Sequence, residues 1–158
     1  QAGDLETMGM KTLWVDADGC PVVGESVRIG NEFGWQVVLI CDNAHQMEWE
    51  GAQTVYVDPG ADSADFTLVN HMERGDVVVT QDYGLAAMCL ARGGRPIDAD
   101  GRWYTAENIE ALLLSRHLAK KTRRAGGRVS GPPKRKTEQD KRFAASLPRL
   151  LQTENEAR

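Results

Sequence analysis

The spacing of apolar and polar positions changes character several times along the chain, and each change marks an element. Leu13-Trp14-Val15, Thr54-Val55-Tyr56-Val57 and Val77-Val78-Val79-Thr80 are short runs of branched and aromatic residues, the composition of strands. Gln36 to Cys41 is a nearly unbroken apolar run, as expected of a strand buried on both faces. Between these runs lie helical stretches from Pro21 to Phe33, Ser63 to Glu73, Tyr83 to Arg92 and Thr105 to about Lys121. Arg95-Pro96-Ile97 is one more short extended run. Strands alternating with helices in this way predict an α/β fold, a parallel central sheet flanked by helices in three layers.

Three of the helices stop at glycine and lead straight into a strand: Phe33-Gly34-Trp35, Arg74-Gly75-Asp76 and Arg92-Gly93-Gly94-Arg95. Glycine just past a helix takes the left-handed conformation with no Cβ penalty, so one end of the sheet is made of tight structural turns. The chemistry is expected at the other end, where strands run into helices.

Beyond Lys121 the pattern breaks. Residues 123–136 form a basic Gly/Pro-rich stretch without apolar periodicity, read as a loop. Thr137-Glu138-Gln139-Asp140 has the form of a capping box with Asp in its last place, and it opens a helix over 137–152. Phe143, Ala144, Leu147, Leu150 and Leu151 sit near helical spacing there, and Pro148 should kink or end the helix. The organisation expected is therefore an α/β domain over 10–122, a basic loop over 123–136 and a C-terminal helix that docks back. Residues 1–9 carry Asp4 and Glu6 and no apolar core, so they read as an added tail or a disordered terminus, not a secretory signal.

At 158 residues the chain has the size of one domain, and roughly 70% of its unfolded surface can be buried without disulfide or metal. No apolar run approaches a membrane span. Three cysteines, Cys20, Cys41 and Cys89, are odd in number and far apart, which argues for a reducing cytoplasm. The net charge of −4 hides a split: residues 1–115 carry 6 Lys/Arg against 19 Asp/Glu, and residues 116–158 carry 13 against 4. An acidic body with a basic C-terminal segment suits a polyanion on one part and a cation on the other.

The acids are not scattered. Asp16 and Asp18 follow the first strand, Asp42 the second, Asp58 and Asp62 the third, and Asp82 the fourth, while Asp65 lies one turn into a helix. All map to the end of a parallel sheet where ligands bind. Two carboxylates about 6 Å apart repel by roughly 3 kcal/mol at an effective dielectric of about 20, so several in one cleft call for a cation or for raised pKa values. Mg²⁺ or Mn²⁺ prefers such oxygen ligands, and these ions activate water and polarise phosphoryl oxygens. A plainer role competes at each position: Asp62 and Asp82 are also well placed as helix N-caps. Cys20 precedes Pro21, at the N-cap of the first helix in this reading, where a thiol pKa is lowered; the residue nevertheless reads as a small helix-start residue, since no Arg or His is suitably spaced. His45, His71, His117 and the cysteines lack zinc-ligand spacing.

The segments Trp14-Val15-Asp16-Ala17-Asp18-Gly19-Cys20-Pro21-Val22, Asp62-Ser63-Ala64-Asp65-Phe66, Gly75 through Thr80-Gln81-Asp82-Tyr83-Gly84-Leu85-Ala86, and Arg116-His117 through Arg123-Arg124-Ala125-Gly126-Gly127 to Gly131-Pro132-Pro133 resemble the YaiI/YqxD family of uncharacterised bacterial proteins. The likeness spans Met10 to about Leu151. That family in turn looks like part of the PIN-like nuclease group, whose parallel sheet carries acids that bind Mg²⁺ or Mn²⁺ and cleave RNA. The resemblance implies that Asp16 is the first-strand acid, Asp82 the acid of a Thr-x-Asp element and Asp65 the helical acid.

The function expected is a metal-dependent ribonuclease, with Asp16, Asp65 and Asp82 as ligands to Mg²⁺ or Mn²⁺ and Asp18 assisting. Lys120, Lys121, Arg123, Arg124, Arg128, Lys134, Arg135 and Lys136 would hold the phosphate backbone of RNA or another nucleic acid. Two other readings stay open. One is an aspartyl-phosphate phosphatase built on the Asp16-x-Asp18 pair, although Lys11 is the only lysine of the body and precedes that pair. The other is a nucleic-acid-binding protein without catalysis.

Overall fold

The computed structural model describes residues 10–42, 47–60, 63–124, 126 and 134–157. Asp62, Arg128 and residues 1–9 lie outside these, as does the side chain of Arg123. The strands are β1 (Thr12–Asp16), β2 (Gln36–Asp42), β3 (Gln53–Val57), β4 (Val77–Val79) and β5 (Arg95–Ile97). The helices are α1 (Val23–Glu32), α2 (Ser63–His71), α3 (Tyr83–Ala91), α4 (Ala106–Arg124) and α5 (Thr137–Glu156). The strands form one sheet in the order β3-β2-β1-β4-β5, and every pairing is parallel.

The period-2 geometry of the strands divides their side chains between two cores. Leu13 and Val15 of β1, Val37 and Leu39 of β2, and Val77 and Val79 of β4 pack with Val27 and Ile29 of α1 and with Phe143, Leu147, Leu150 and Leu151 of α5. Trp14, Val38, Ile40 and Val78 point the other way, onto Leu68 and Val69 of α2 and Leu85 and Cys89 of α3. The result is the three-layer α/β arrangement expected from the alternation of elements. Helix α4 lies outside it, resting on α3 through Tyr104, Ile109 and Ala86. Among the described residues no helix is long and apolar enough to cross a membrane.

Gly34, Gly75 and Gly93 have φ of 77°, 87° and 83°, so the turns into β2, β4 and β5 are built as the sequence implies. Asp76 braces that same end. Buried, it accepts hydrogen bonds from the Thr12 N–H (3.1 Å), the Trp14 indole N–H (3.0 Å) and the Glu73 N–H (2.9 Å).

Three local expectations are corrected. Helix α1 begins at Val23 with Val22 as its N-cap, because a turn closed by the Cys20 N–H and the Ala17 carbonyl (3.1 Å) takes up the residues before it; Cys20 is therefore not at the cap. Helix α5 begins at Thr137 as expected, but its cap is one residue earlier than the box implies. Its N-cap is Lys136, whose N–H donates to the Gln139 side chain at 2.7 Å, so the box uses Gln139 rather than Asp140. Pro148 does not end α5, which continues to Glu156. The missing N–H costs one backbone bond, and burial of Phe143, Leu147, Leu150 and Leu151 on either side of the proline outweighs that loss.

Candidate active site

The chain moves outward from β1 to β2 and β3, then returns through α2 to β4 on the far side of β1. The strand order therefore reverses between β1 and β4, and in open parallel sheets the crevice beyond that point binds ligands. Here the crevice is a cleft of about 310 Å³ lined by Asp16, Asp18, Gly19, Cys20, Val79, Thr80, Gln81 and Asp82.

Asp16 is the last residue of β1. One of its carboxylate oxygens, Oδ2, accepts a hydrogen bond from the Thr80 hydroxyl at 2.9 Å. The same hydroxyl oxygen accepts from the Asp82 N–H at 3.0 Å, so Thr80 couples the two acids. Burial raises the Asp16 pKa above the usual carboxylate range; the Thr80 hydrogen bond opposes this, and the charges of Asp82 and Asp18 add to it. Asp82 is the N-cap of α3, its Oδ1 accepting from the Gly84 N–H (2.8 Å) and the Leu85 N–H (3.2 Å). The capping role and the cleft position coexist. Asp18 accepts from the Asp42 N–H at 2.8 Å, tying the ends of β1 and β2 together.

Asp65 is not among the residues that line the Asp16 cleft. It lines a neighbouring recess with Phe66, Asp82, Gly84, Met88 and Arg116, so Asp82 alone of the three borders both spaces. Among the described residues no three His, Cys, Asp or Glu side chains are gathered closely enough to ligate one ion. The donor chemistry still suits Mg²⁺ or Mn²⁺, because such ions are commonly held by one or two carboxylates together with water and substrate phosphate. Asp16 and Asp82 have that composition.

Arg116, a residue that spacing along the chain does not single out as functional, reaches Asp82 Oδ1 at 3.7 Å from α4. Its only signal in the sequence is its place in the family-like run. Lys120 and Arg124 follow it at i+4 and i+8, and with Lys121 they are exposed, so α4 carries a basic face outward from Asp82. Lys134 and Lys136 are exposed as well. Arg135 is different: it donates to Asp140 (2.7 Å), Asp100 (3.2 Å) and the Ala99 carbonyl (2.7 Å) and fastens the start of α5 to the loop after β5. Cys20 borders the cleft with its thiol pKa pushed up to about 11, mainly by burial, the opposite of an activated nucleophile.

The family model described as "Uncharacterized BCR, YaiI/YqxD family" matches residues 14–153. The chain belongs to the YaiI/YqxD family. Relatives in Exiguobacterium sibiricum and Clostridium acetobutylicum, each called a UPF0178 protein, are 52% and 45% identical to it over 139 and 141 residues. Each alignment covers 88% of this chain and 95% of the relative. A third, from Alkaliphilus oremlandii, is 44% identical over 87% of this chain and 88% of its own length. No solved structure gives a significant match. Family membership covers both charge halves of the chain, since the match runs from β1 through most of α5.

Proposed function

We propose that this protein is a divalent-metal-dependent ribonuclease of the PIN-like kind, working in the cytoplasm, with its reaction centre in the β1/β4 cleft. The observation that carries the reading is the position of Asp16: a half-buried carboxylate beside Asp82 and Asp18, at the point where the strand order reverses. A charge so placed is costly without a cation, and Mg²⁺ or Mn²⁺ is the cation its oxygen donors favour. When bound, such an ion supplies an activated water and polarises the phosphoryl oxygen under attack.

The chain's own residues divide the remaining work. Asp16 and Asp82 hold the ion, Asp18 assists from the same cleft, and Asp65 acts on the substrate side of Asp82 from the adjoining recess. Thr80 orients the Asp16 carboxylate by its hydrogen bond. Arg116, Lys120, Lys121 and Arg124 lie along α4 where a phosphate backbone entering the cleft would run, and Lys134 and Lys136 extend the same field. The three free cysteines suit a reducing compartment.

The test is cleavage of labelled single-stranded RNA with Mn²⁺ or Mg²⁺, against an EDTA control. Asp16→Asn and Asp82→Asn should each abolish cleavage and spare RNA binding. The ion should also raise the unfolding midpoint of the wild type and leave that of Asp16→Asn unchanged. Cleavage that persists in both variants overturns the reading.

A further inference from the structure

A second surface of the molecule combines charge and aromatic area. The loop after β5 and the outer side of α5 border two recesses that share Arg149. The first, of about 550 Å³, is lined by Asp98, Asp100, Arg102, Arg142, Ser146 and Arg149 among others. The second, of about 500 Å³, is lined by Phe33, Trp103, Pro148 and Arg149 with two polar residues of α5. The first recess carries three arginines and two aspartates, and the second presents flat apolar surface.

The acids of the first recess are already matched. Asp98 pairs with Arg102 at 3.1 Å, and Asp100 accepts from Arg135 (3.2 Å) and Gln139 (2.9 Å). Arg142 and Arg149 have no ion-pair partner among the described residues, and both are exposed. Seven residues apart on α5, they stand about 10 Å from one another along its axis. The groove therefore carries uncompensated positive charge at two points.

The aromatic component is held in place. The Trp103 indole N–H donates to the Ser146 hydroxyl at 2.9 Å, and that hydroxyl donates to the Gly101 carbonyl at 2.5 Å. The guanidinium of Arg95 lies 5.5 Å from the ring centroid and that of Arg149 lies 6.0 Å from it. Glu154 neutralises Arg95 through a 2.5 Å ion pair, which leaves Arg149 as the uncompensated cation beside the indole.

A free guanidinium beside a fixed aromatic ring answers both parts of a nucleotide: a phosphate to pair with and a base to stack. An acidic peptide would satisfy only the charge. We propose that this groove binds single-stranded nucleic acid, with backbone phosphates on Arg142 and Arg149 and a base laid against the Arg149–Trp103 pair. The groove and the acidic cleft lie within reach of one common charge. Arg135, bonded to Ala99 and Asp100 at the groove, also exerts its charge on Cys20 at the cleft. The inference takes its ligand class from the proposed function but rests on different residues, and it stands even where the acidic cleft proves inert.

The experiment is fluorescence anisotropy with a labelled oligouridylate in EDTA, so that binding is read without cleavage. Arg142→Ala with Arg149→Ala should weaken binding by about tenfold or more and reduce the slope of log K against log salt by about 1.4, two contacts at about 0.7 each. Its thermal unfolding should fall only slightly, because neither arginine is ion-paired and the Arg149–Trp103 contact contributes no more than about 1 kcal/mol. A duplex of equal length should bind about tenfold more weakly, its bases being unavailable for stacking. Unchanged affinity and slope in the double variant overturn the proposal, as does equal affinity for duplex and single strand. Binding that weakens in the double variant of a protein showing no metal-dependent cleavage supports the groove and defeats the nuclease reading alone.

Discussion

The Thr80 hydroxyl donates to the Asp16 carboxylate at 2.9 Å, joining residues 64 positions apart across the β1–β4 boundary. The same oxygen accepts the Asp82 N–H at 3.0 Å, so one side chain sets the geometry of both acids. Thr80 is itself buried, and its carbonyl accepts from the Tyr104 hydroxyl at 3.1 Å. The cleft thus stands on a hydrogen-bonded support that reaches from β1 to the start of α4.

Thr80→Val keeps the shape of the side chain and removes both of its polar contacts. We expect a loss of about 1–3 kcal/mol in urea unfolding, because the Asp16 carboxylate and the Asp82 N–H lose a partner together. The Asp16 carboxyl should titrate still higher than in the wild type, since the contact removed is the one that lowers its pKa. Thr80→Ser should restore both properties. Carboxyl chemical shifts followed against pH read the titration directly, and an Asp16 pKa that does not rise in Thr80→Val contradicts the account.

Asp16 should also govern how stability depends on pH. Its folded pKa lies above the ordinary value of 3.8, so the folded state holds that proton more tightly than the unfolded chain. Ionised Asp16 therefore opposes folding at neutral pH, and the penalty fades as pH falls through the folded pKa toward about 4. Asp16→Asn should unfold at higher urea than the wild type at neutral pH, with the gap closing on acidification. A gap that widens toward low pH would show the opposite linkage.

Asp76 offers a contrasting case at the glycine-turn end of the sheet. Its carboxylate receives three donors from β1 and the turn before β4, and none of them faces the cleft. Asp76→Ala should cost about 2 kcal/mol or more, because buried N–H groups are left without acceptors. RNA cleavage per folded molecule should be unchanged, which separates a stabilising carboxylate from one that takes part in the reaction. Lost activity in a fully folded Asp76→Ala protein would contradict that division.

The thiols should be quiet. Burial pushes Cys20 up to about 11 and Cys89 up to about 12, and Cys41 is buried as well. At pH 8 a thiol of pKa about 11 holds roughly one hundredth of the thiolate of one near 9, so native Cys20 should react with a disulfide reagent about a hundredfold more slowly than in urea. Reaction in the native protein as fast as in the denatured protein would contradict this burial.

Local features of the site are legible in the order of residues. Asp82 reads as a helix cap because capping depends on residues two and three positions away, and it caps α3 as that spacing implies. Asp16 and Asp18 are legible as acids at a strand end. Contact between distant segments is not. Thr80 as the partner of Asp16, and Arg116 as the partner of Asp82, depend on β4 lying beside β1 and α4 lying against α3. Arg135 is chemically the same as its exposed neighbours in a basic run, and only the position of Asp100 and Asp140 makes it a strap. Pro148 and the α5 cap depart from expectation for a related reason: a local rule meets a larger tertiary gain.

Taken alone, the order of residues determined the elements, their alternation, the glycine turns at one end of the sheet and the acids at the other, because each depends on spacing within a few residues. The three-dimensional structure decided the strand order, the pairing of Asp16 with Thr80 and the recess that Asp65 lines with Asp82 and Arg116. Those depend on which crossovers bury Leu13, Val15 and Val79 against α1 and α5 while Trp14 and Val78 pack on α2 and α3. That choice is set by apolar area gathered from the whole chain, and no short window of sequence contains it.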